Sequence, residues 1–227
     1  MNFHIITLFP ESMESYIKSS IIKRAIEDKK ISVKFYNPRD FTNDKHKRID
    51  QKPYGGGPGM VIQAEPVIKA IAKAKGRKKK VKIYFTSPSG KKFTTDIAKK
   101  TANNYKDTII ICGRYEGIDA RIKKVFSMEE ISIGDYVLTG GEIPAMVILD
   151  SVTRLIPGVV GKKESIEYES FENNLLDFPH YTKPENFKGW KVPKILLSGD
   201  HAKVEEWRRR KALTNTKKKR KDLLPKN

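Results

Sequence analysis

A glycine-rich segment at residues 132–144 carries the clearest sign of chemistry in this chain. Its sequence, SIGDYVLTGGEIP, places Gly134, Gly140 and Gly141 within eight positions, directly before a predicted helix. Glycine adopts positive φ angles and leaves room for a ligand to touch the main chain. The same spacing also fits a strand-to-helix turn without a ligand. We favour a ligand-binding loop because residues 87–90 (SPSG) and 113–117 (GRYEG) form two similar loops.

Several common catalytic and phosphate-binding motifs are missing from the sequence. It contains no GxxxxGK[ST] loop, no GxGxxG after a predicted strand and no GxSxG around a serine nucleophile. The four histidines, His4, His46, His180 and His201, lack the spacing of metal ligands. A small cofactor with an adenosine moiety, held by main-chain groups, fits what remains. The residues alone do not identify that cofactor.

Strands and helices alternate along the first two thirds of the chain. Apolar runs predict strands at residues 3–8, 31–36, 81–86, 108–112 and 129–133. Helical spacing and end signals predict helices at 10–29, 64–75, 94–103, 118–126 and 142–155, with a long loop at 37–59. This alternation predicts an α/β fold with a parallel sheet covered on both faces. Ligands of such sheets bind at the carboxyl ends of the strands, where the three glycine-containing loops would meet.

The composition indicates a soluble cytoplasmic protein. No apolar run approaches the length of a membrane span, and the first ten residues do not resemble a signal peptide. The single cysteine, Cys112, permits no internal disulfide, as expected in a reducing compartment. Cys112 ends a predicted buried strand with no base close in sequence. We therefore interpret it as a packing residue rather than a nucleophile.

The charge points to a polyanionic partner. The net charge is +19, and residues 203–227 hold eleven Lys or Arg against three Asp or Glu. Within this cluster, Trp207 precedes three arginines at 208–210. Such a pattern suits phosphate contacts with base stacking, although Trp207 equally fits an anchor that holds a helix to a core.

The chain changes character after residue 158. Residues 1–158 are predicted to form the α/β domain, 159–174 a polar and mobile linker, and 175–227 a small helical domain. In that last domain, residues 200–213 predict an amphipathic helix with Asp200 as its N-cap, and a short helix begins near Thr216.

A series of motifs resembles the bacterial tRNA (guanine-N(1)-)-methyltransferases of the knotted SPOUT superfamily. The matching stretches, in order, are residues 8–10 (LFP), 38–42 (PRDFT), 53–60 (PYGGGPGM), 113–119 (GRYEGID), 132–144, 150–158 (DSVTRLIPG), 175–184 (LLDFPHYTKP) and 197–202 (LSGDHA). The resemblance implies a deep trefoil knot, a homodimer, tRNA as substrate and S-adenosylmethionine as cofactor. It also implies the cofactor-binding residues Ser87, Pro88, Gly113, Tyr115, Ile133, Gly134, Asp135, Tyr136, Val137, Leu138, Gly140, Gly141 and Pro144.

The same resemblance assigns the chemistry to residues outside the glycine loops. It implies methylation of the ring nitrogen N-1 of the guanosine immediately 3′ of the anticodon. Asp177 matches the general base, and Arg154 matches the group that stabilises charge on the guanine oxygen. From the residues alone, Asp177 also fits a helix cap and Arg154 a solvated helical arginine. The implied substrate contacts are Asp50, Arg114, Glu116 and His180.

Other functions remain open at the level of sequence. The chain fits a non-catalytic RNA-binding protein of the same fold, or a SPOUT methyltransferase acting on another RNA site. The presence of Asp177 and Arg154 argues against the first, and the 175–184 motif argues against the second. We further expect tRNA to order the 159–174 linker and so bring Asp177 to the site.

Overall fold

The computed structural model describes residues 1–161 and 169–225, and the chain divides into two compact units, Met1–Gly161 and Lys162–Asn227. The strands are β1 (Asn2–Ile6), β2 (Ser32–Tyr36), β3 (Asp50–Gln51), β4 (Val61–Ile62), β5 (Val81–Lys92), β6 (Asp107–Cys112), β7 (Glu129–Ser132), β8 (Asn186–Phe187) and β9 (Trp190–Lys191). The helices are α1 (Glu11–Ile17), α2 (Ser20–Glu27), α3 (Ala64–Lys75), α4 (Thr95–Asn104), α5 (Ile122–Val125), α6 (Glu142–Thr153) and α7 (His201–Lys219).

The first unit is built on a five-stranded sheet in the order β2-β1-β6-β5-β7. All of its strand pairs are parallel. Along the central strand β6, Ile110 packs into one apolar cluster while Ile109 and Ile111 pack into the other. Alternate side chains of a strand point to opposite faces, so both faces of the sheet are covered. This arrangement confirms the predicted α/β fold with a buried parallel sheet.

Strand β5 is longer than predicted because it leaves the sheet and then returns to it. Thr86 and Lys91 both lie opposite Ile131 of β7, so the register shifts between them. The predicted turn at 87–90 is therefore an excursion within the strand. Ser87 and Ser89 share a hydrogen bond of 2.8 Å there. The excursion places this loop at the edge of the sheet where β6 and β7 end.

Two predicted helices differ from the structure. The helix predicted at 10–29 is divided into α1 and α2, because Ser19 is extended and its hydroxyl donates to the Tyr16 carbonyl. The helix predicted at 118–126 is reduced to α5, since Asp119 instead accepts a hydrogen bond from the Arg121 main chain. The long 37–59 loop contains a 3₁₀ turn at Pro38–Phe41 and the strand β3.

The second unit contains helix α7 and the β8–β9 hairpin. Asp200 caps α7 by accepting a hydrogen bond from the Lys203 main chain at 3.1 Å, as predicted. The helix continues to Lys219, so no separate helix begins near Thr216. Residues 162–168 of the predicted mobile linker lie outside the described residues. Across the described ranges, no helix combines the length and apolar character needed to cross a membrane.

The cysteine lies in the core of the first unit. Cys112 is 3% exposed at the end of β6. Burial raises the pKa of its thiol well above the ordinary value, and the nearby negative charge of Glu142 adds to that effect. The thiol is therefore neutral and inaccessible in the folded protein, which supports a packing role.

We expect Cys112 to resist alkylation in the native protein. Iodoacetamide at about pH 8 should label it at least roughly 100-fold more slowly than in denaturant, because both access and thiolate formation require opening of the fold. Intact-mass spectrometry over time measures the rate. Rapid, complete labelling of the folded protein would contradict the packing assignment.

Candidate active site

A cavity of about 420 Å³ opens where β5, β6 and β7 end. Three loops line it, namely the 87–90 excursion of β5, residues 113–118 after β6, and residues 133–141 after β7. The first turn of α6 closes one side through Pro144. This is the carboxyl edge of a parallel sheet, the place where α/β proteins bind ligands.

The 133–141 loop is held against the sheet by main-chain contacts. The Gly141 N–H donates to the Gly113 carbonyl at 2.9 Å, and Gly140 pairs with Arg114 in an isolated antiparallel bridge. A Cβ on Gly141 would overlap with Thr86 Oγ1 and would lie 2.6 Å from the Cys112 Cα. The close approach of the three loops therefore requires glycine at position 141.

The cavity wall combines apolar side chains with one strained residue. Tyr115, Tyr136 and Leu138 all line the cavity and are 51%, 54% and 36% exposed. Tyr115 has a φ of +57°, which is rare for a residue with a side chain. Such strain is common in binding loops, where the surrounding structure maintains it. Exposed aromatic rings in a glycine-containing cavity wall suit a flat heterocyclic ligand.

An acidic group that the sequence reasoning missed lies at the cavity wall. Glu130 lines the cavity and accepts hydrogen bonds from Lys123 at 2.7 Å and Ser89 at 3.4 Å. The hydrogen bond from Lys123 is the main reason that the pKa of Glu130 is lowered. Its position inside β7, one residue before Ile131, gives no sign of a ligand contact in the sequence.

The structure brings together nearly all of the residues predicted to bind the cofactor. Twelve of the thirteen line the cavity, and only Asp135 does not. Asp135 is exposed on the same loop. Of the predicted substrate contacts, Arg114 and Glu116 also line the cavity. Their binding roles stay predictions.

The long 37–59 loop reaches the cavity through the chain that follows it. The Glu116 N–H donates to the Met60 carbonyl, and a Cβ on Gly59 would overlap with the Glu116 carboxylate. Asp50 does not line the cavity; it lies in β3, paired with Ile62 of β4. Asp50 is therefore outside the cavity lining but is paired with Ile62, whose N–H donates to the Gly117 carbonyl of the lining.

Arg154 lies at the far end of α6 from the cavity. Pro144 lines the cavity, whereas Arg154 is the C-cap of the same helix. Ten residues separate them, which is about 15 Å along a helix axis. Within one chain, α6 therefore carries Arg154 away from the cavity.

Asp177 and His180 are brought together in the second unit. The Asp177 carboxylate accepts a hydrogen bond from the Phe178 main chain at 2.7 Å and lies 2.8 Å from His180 Nε2. The Asn215 side chain donates to the Asp177 carbonyl at 3.0 Å. Residues 175–180 are not helical. The alternative reading of Asp177 as a helix cap is therefore wrong.

The alternative reading of Trp207 as an anchor is correct. Trp207 is 6% exposed and packs near the Tyr181 ring, with 6.3 Å between the ring centroids. Its ring is not available for stacking on a base. Arg209 and Arg210, by contrast, are exposed on α7.

No group of His, Cys, Asp and Glu in the described ranges is arranged to hold a metal ion.

The parallel sheet and its glycine-lined cavity define an α/β protein with a candidate ligand-binding site at the carboxyl edge of its sheet. The profile of the family described as tRNA (Guanine-1)-methyltransferase TrmD matches residues 1–226. A tRNA (guanine-N(1)-)-methyltransferase of Clostridioides difficile strain 630 is 50% identical over 230 residues, covering 100% of this chain and 99% of the relative. One of Thermosipho melanesiensis is 52% identical over 224 residues, covering 99% and 90%. The chain belongs to this family of SPOUT-fold methyltransferases.

Replacing Gly141 tests the cavity directly. Gly141→Ala should weaken binding of S-adenosylmethionine at least roughly tenfold and destabilise the fold by about 1–3 kcal/mol, because the added methyl group meets the β6 main chain. Calorimetric titration and thermal melting measure the two effects. Gly161→Ala is the matched control, since a Cβ there meets no atom within 4 Å. Equal affinity of both variants for S-adenosylmethionine would contradict the assignment of this cavity as the cofactor site.

Proposed function

We propose that this protein transfers a methyl group from S-adenosylmethionine to N-1 of the guanosine immediately 3′ of the anticodon in tRNA. The observation that carries the proposal is the glycine-lined cavity at the carboxyl edge of the sheet, in a chain whose curated relatives are named tRNA (guanine-N(1)-)-methyltransferase. We also propose the cytoplasm as its location, where unmodified tRNA is available.

The cavity suits S-adenosylmethionine in size and chemistry. Its volume of about 420 Å³ lies within the usual range for small-molecule sites. The loops offer main-chain N–H and C=O groups, and Tyr115, Tyr136 and Leu138 offer apolar surface. The Glu130 carboxylate can accept hydrogen bonds from hydroxyl groups. When bound, this cofactor supplies a methyl group that is already activated by its positively charged sulfur.

Asp177 is the proposed general base. N-1 of guanine carries a proton and is a poor nucleophile until that proton leaves. The hydrogen bonds from Phe178 and His180 orient the Asp177 carboxylate, so that it can receive the proton. As the proton leaves, negative charge moves onto the guanine oxygen. Arg154 is proposed to donate hydrogen bonds to that oxygen, an acceptor that arginine recognises well.

The exposed face of α6 supports a homodimer. Ile143, Val147, Asp150 and Arg154 follow one another at helical spacing, and the two apolar residues are 51% and 39% exposed. Beside them, the hydroxyl of Tyr16 donates to Asp150, and this hydrogen bond is the main reason that the pKa of Tyr16 is raised to about 12. We propose that a second copy covers this face. Arg154 of one copy then acts on the same guanine as Asp177 of the other.

Residues 175–227, the basic part of the second unit, are the proposed tRNA-binding domain, and residues 159–174 are the proposed linker to the cofactor domain of residues 1–158. Arg209, Arg210 and Lys217 are exposed along α7 and can contact phosphates. Trp207 instead holds this helix in place from the buried side. Asp50 is retained as a proposed substrate contact from the first unit.

Labelled-methyl transfer tests the proposed reaction. We expect the protein to methylate a tRNA transcript with guanosine 3′ of the anticodon and to leave its adenosine counterpart unmodified. Asp177→Asn should lower turnover roughly 100-fold or more while leaving cofactor affinity within about twofold, because general-base catalysis contributes that much. Nucleoside analysis locates the methyl group on N-1.

One control variant and three alternative outcomes make the result decisive. Asp222→Asn neutralises an exposed carboxylate of the same unit and should leave turnover unchanged. Methylation of a different nucleoside would favour a SPOUT enzyme of another RNA site. Binding without methylation by the wild-type protein would favour the non-catalytic RNA-binding protein. Near-normal turnover of Asp177→Asn would sink the assignment of the base.

Mixed dimers test whether two copies share the site. Arg154→Ala and Asp177→Ala should each be inactive as homodimers. After mixing and verified subunit exchange, activity should return to about one quarter of the wild-type value, because half of the dimers are mixed and each holds one intact site. Differently tagged copies allow the mixed dimers to be isolated. No recovery in the isolated mixed dimer would rule out the shared site.

A further inference from the structure

A buried carboxylate beneath the cavity has no part in the chemistry so far described. Glu142, the first residue of α6, is 3% exposed. One carboxylate oxygen accepts a hydrogen bond from the Thr7 hydroxyl at 2.8 Å. The other accepts one from Arg114 Nε at 3.2 Å. Buried carboxylates are rare unless they are paired, and they are often retained for what they orient.

Both oxygens of the Glu142 carboxylate act as hydrogen-bond acceptors. The Thr7 hydroxyl already accepts a hydrogen bond from the Phe9 N–H at 3.0 Å, so its own proton is directed to Glu142. Arg114 can only donate. Both carboxylate oxygens of Glu142 are therefore occupied, one by Thr7 and the other by Arg114.

The Arg114 guanidinium makes two hydrogen bonds and one ring contact, and one of its nitrogens takes part in neither hydrogen bond. Its Nε bonds to Glu142, and its Nη1 donates to the Thr139 carbonyl at 3.3 Å. Its guanidinium lies 4.5 Å from the centre of the Phe9 ring. Within the described residues, Nη2 has no hydrogen-bond partner. Arg114 lines the cavity, so this nitrogen is a donor available to a ligand there.

Gly140, two residues before Glu142, is part of the same arrangement. A Cβ on Gly140 would overlap with Arg114 Nε and would lie 2.5 Å from the Glu142 carboxylate. The loop thus leaves space for the ion pair directly beneath its main chain. Glycine is therefore required at position 140 for the ion pair. At position 141 it is required for a different reason, because an added Cβ would meet the sheet.

We propose that Glu142 is a positioning residue that fixes Arg114, with Thr7 and Phe9, to donate a hydrogen bond to an oxygen atom of the bound tRNA. The inference rests on the proposed tRNA methylation. Thr7 has a double role, because it orients Glu142 through its hydroxyl and Phe9 through the Phe9 N–H. Loss of the carboxylate releases the guanidinium from its set direction while the cavity walls remain.

A double-mutant cycle with tRNA kinetics tests the proposal. Glu142→Gln should lower kcat/KM for tRNA about 10- to 100-fold, since a misplacement of about 1 Å can have that effect. Affinity for S-adenosylmethionine should stay within about twofold. Arg114→Gln should produce a similar loss. The double variant should be no worse than Arg114→Gln within about twofold, because Glu142 acts only through Arg114.

The controls separate positioning from folding. Glu65→Gln removes an exposed glutamate in the first turn of α3, paired with Lys69 at 2.7 Å, and should leave all constants unchanged. Thermal melting shows whether each variant folds. If Arg114→Gln does not fold, Arg114→Lys replaces it, because it keeps the charge but loses the planar fork.

Each outcome bears on one of the two proposals. If the losses of kcat/KM in the two single variants multiply in the double variant, Glu142 acts independently of Arg114. That result would overturn the inference. So would a Glu142→Gln protein that matches Glu65→Gln. A loss confined to cofactor affinity would overturn the assignment to tRNA. Absence of N-1 methylation by the wild-type protein would instead overturn the proposed function.

Discussion

The close approach of the Gly140–Gly141 main chain to the ends of β5 and β6 is the constraint on which the rest of the site depends. The Gly141 N–H reaches the Gly113 carbonyl, and no side chain fits between them. This contact turns the 133–141 loop back over the sheet and starts α6 beneath it. It thereby sets the cavity walls, the shielding of Cys112 and the burial of Glu142. The trefoil knot that the family resemblance implies concerns the path of the whole chain and stays a prediction.

Burying an ion pair beneath this loop contributes little to stability by itself. Desolvation of two charges offsets most of their attraction. Apolar residues of similar volume often stabilise the fold equally well or better. The pair of Glu142 and Arg114 nevertheless has satisfied acceptors, a ring beneath the guanidinium and a glycine that leaves it room. What the ion pair provides is a fixed orientation of the Arg114 guanidinium. A flexible arginine loses side-chain entropy on binding a ligand, whereas one already held loses less.

The sequence predicted what depends on local pattern and missed what depends on distant contacts. The helix at 64–75 and the strands of the main sheet follow from periodicity and agree with the structure to within two residues at most ends. The division of the 10–29 helix depends on one serine hydroxyl that competes with the helical pattern. Thr7 and Glu142 are 135 residues apart in sequence, so nothing local predicts their contact. Glu142 itself follows two glycines and looks like an ordinary acidic residue at a helix start. Only the path of the chain buries it.

Apolar side chains are exposed on the 133–141 loop and on α6, and these two surfaces differ physically. Val137 is 83% exposed on the 133–141 loop, where main-chain rotation can change its surroundings. Ile143 and Val147 lie on α6, whose opposite face is fixed in the core by Ile148 and Leu149, both 0% exposed. A helix anchored in this way cannot turn its outer face inward without losing that packing. The α6 face can lose water only when another surface is placed on it, which supports the proposal that a second copy covers the helix that carries Arg154.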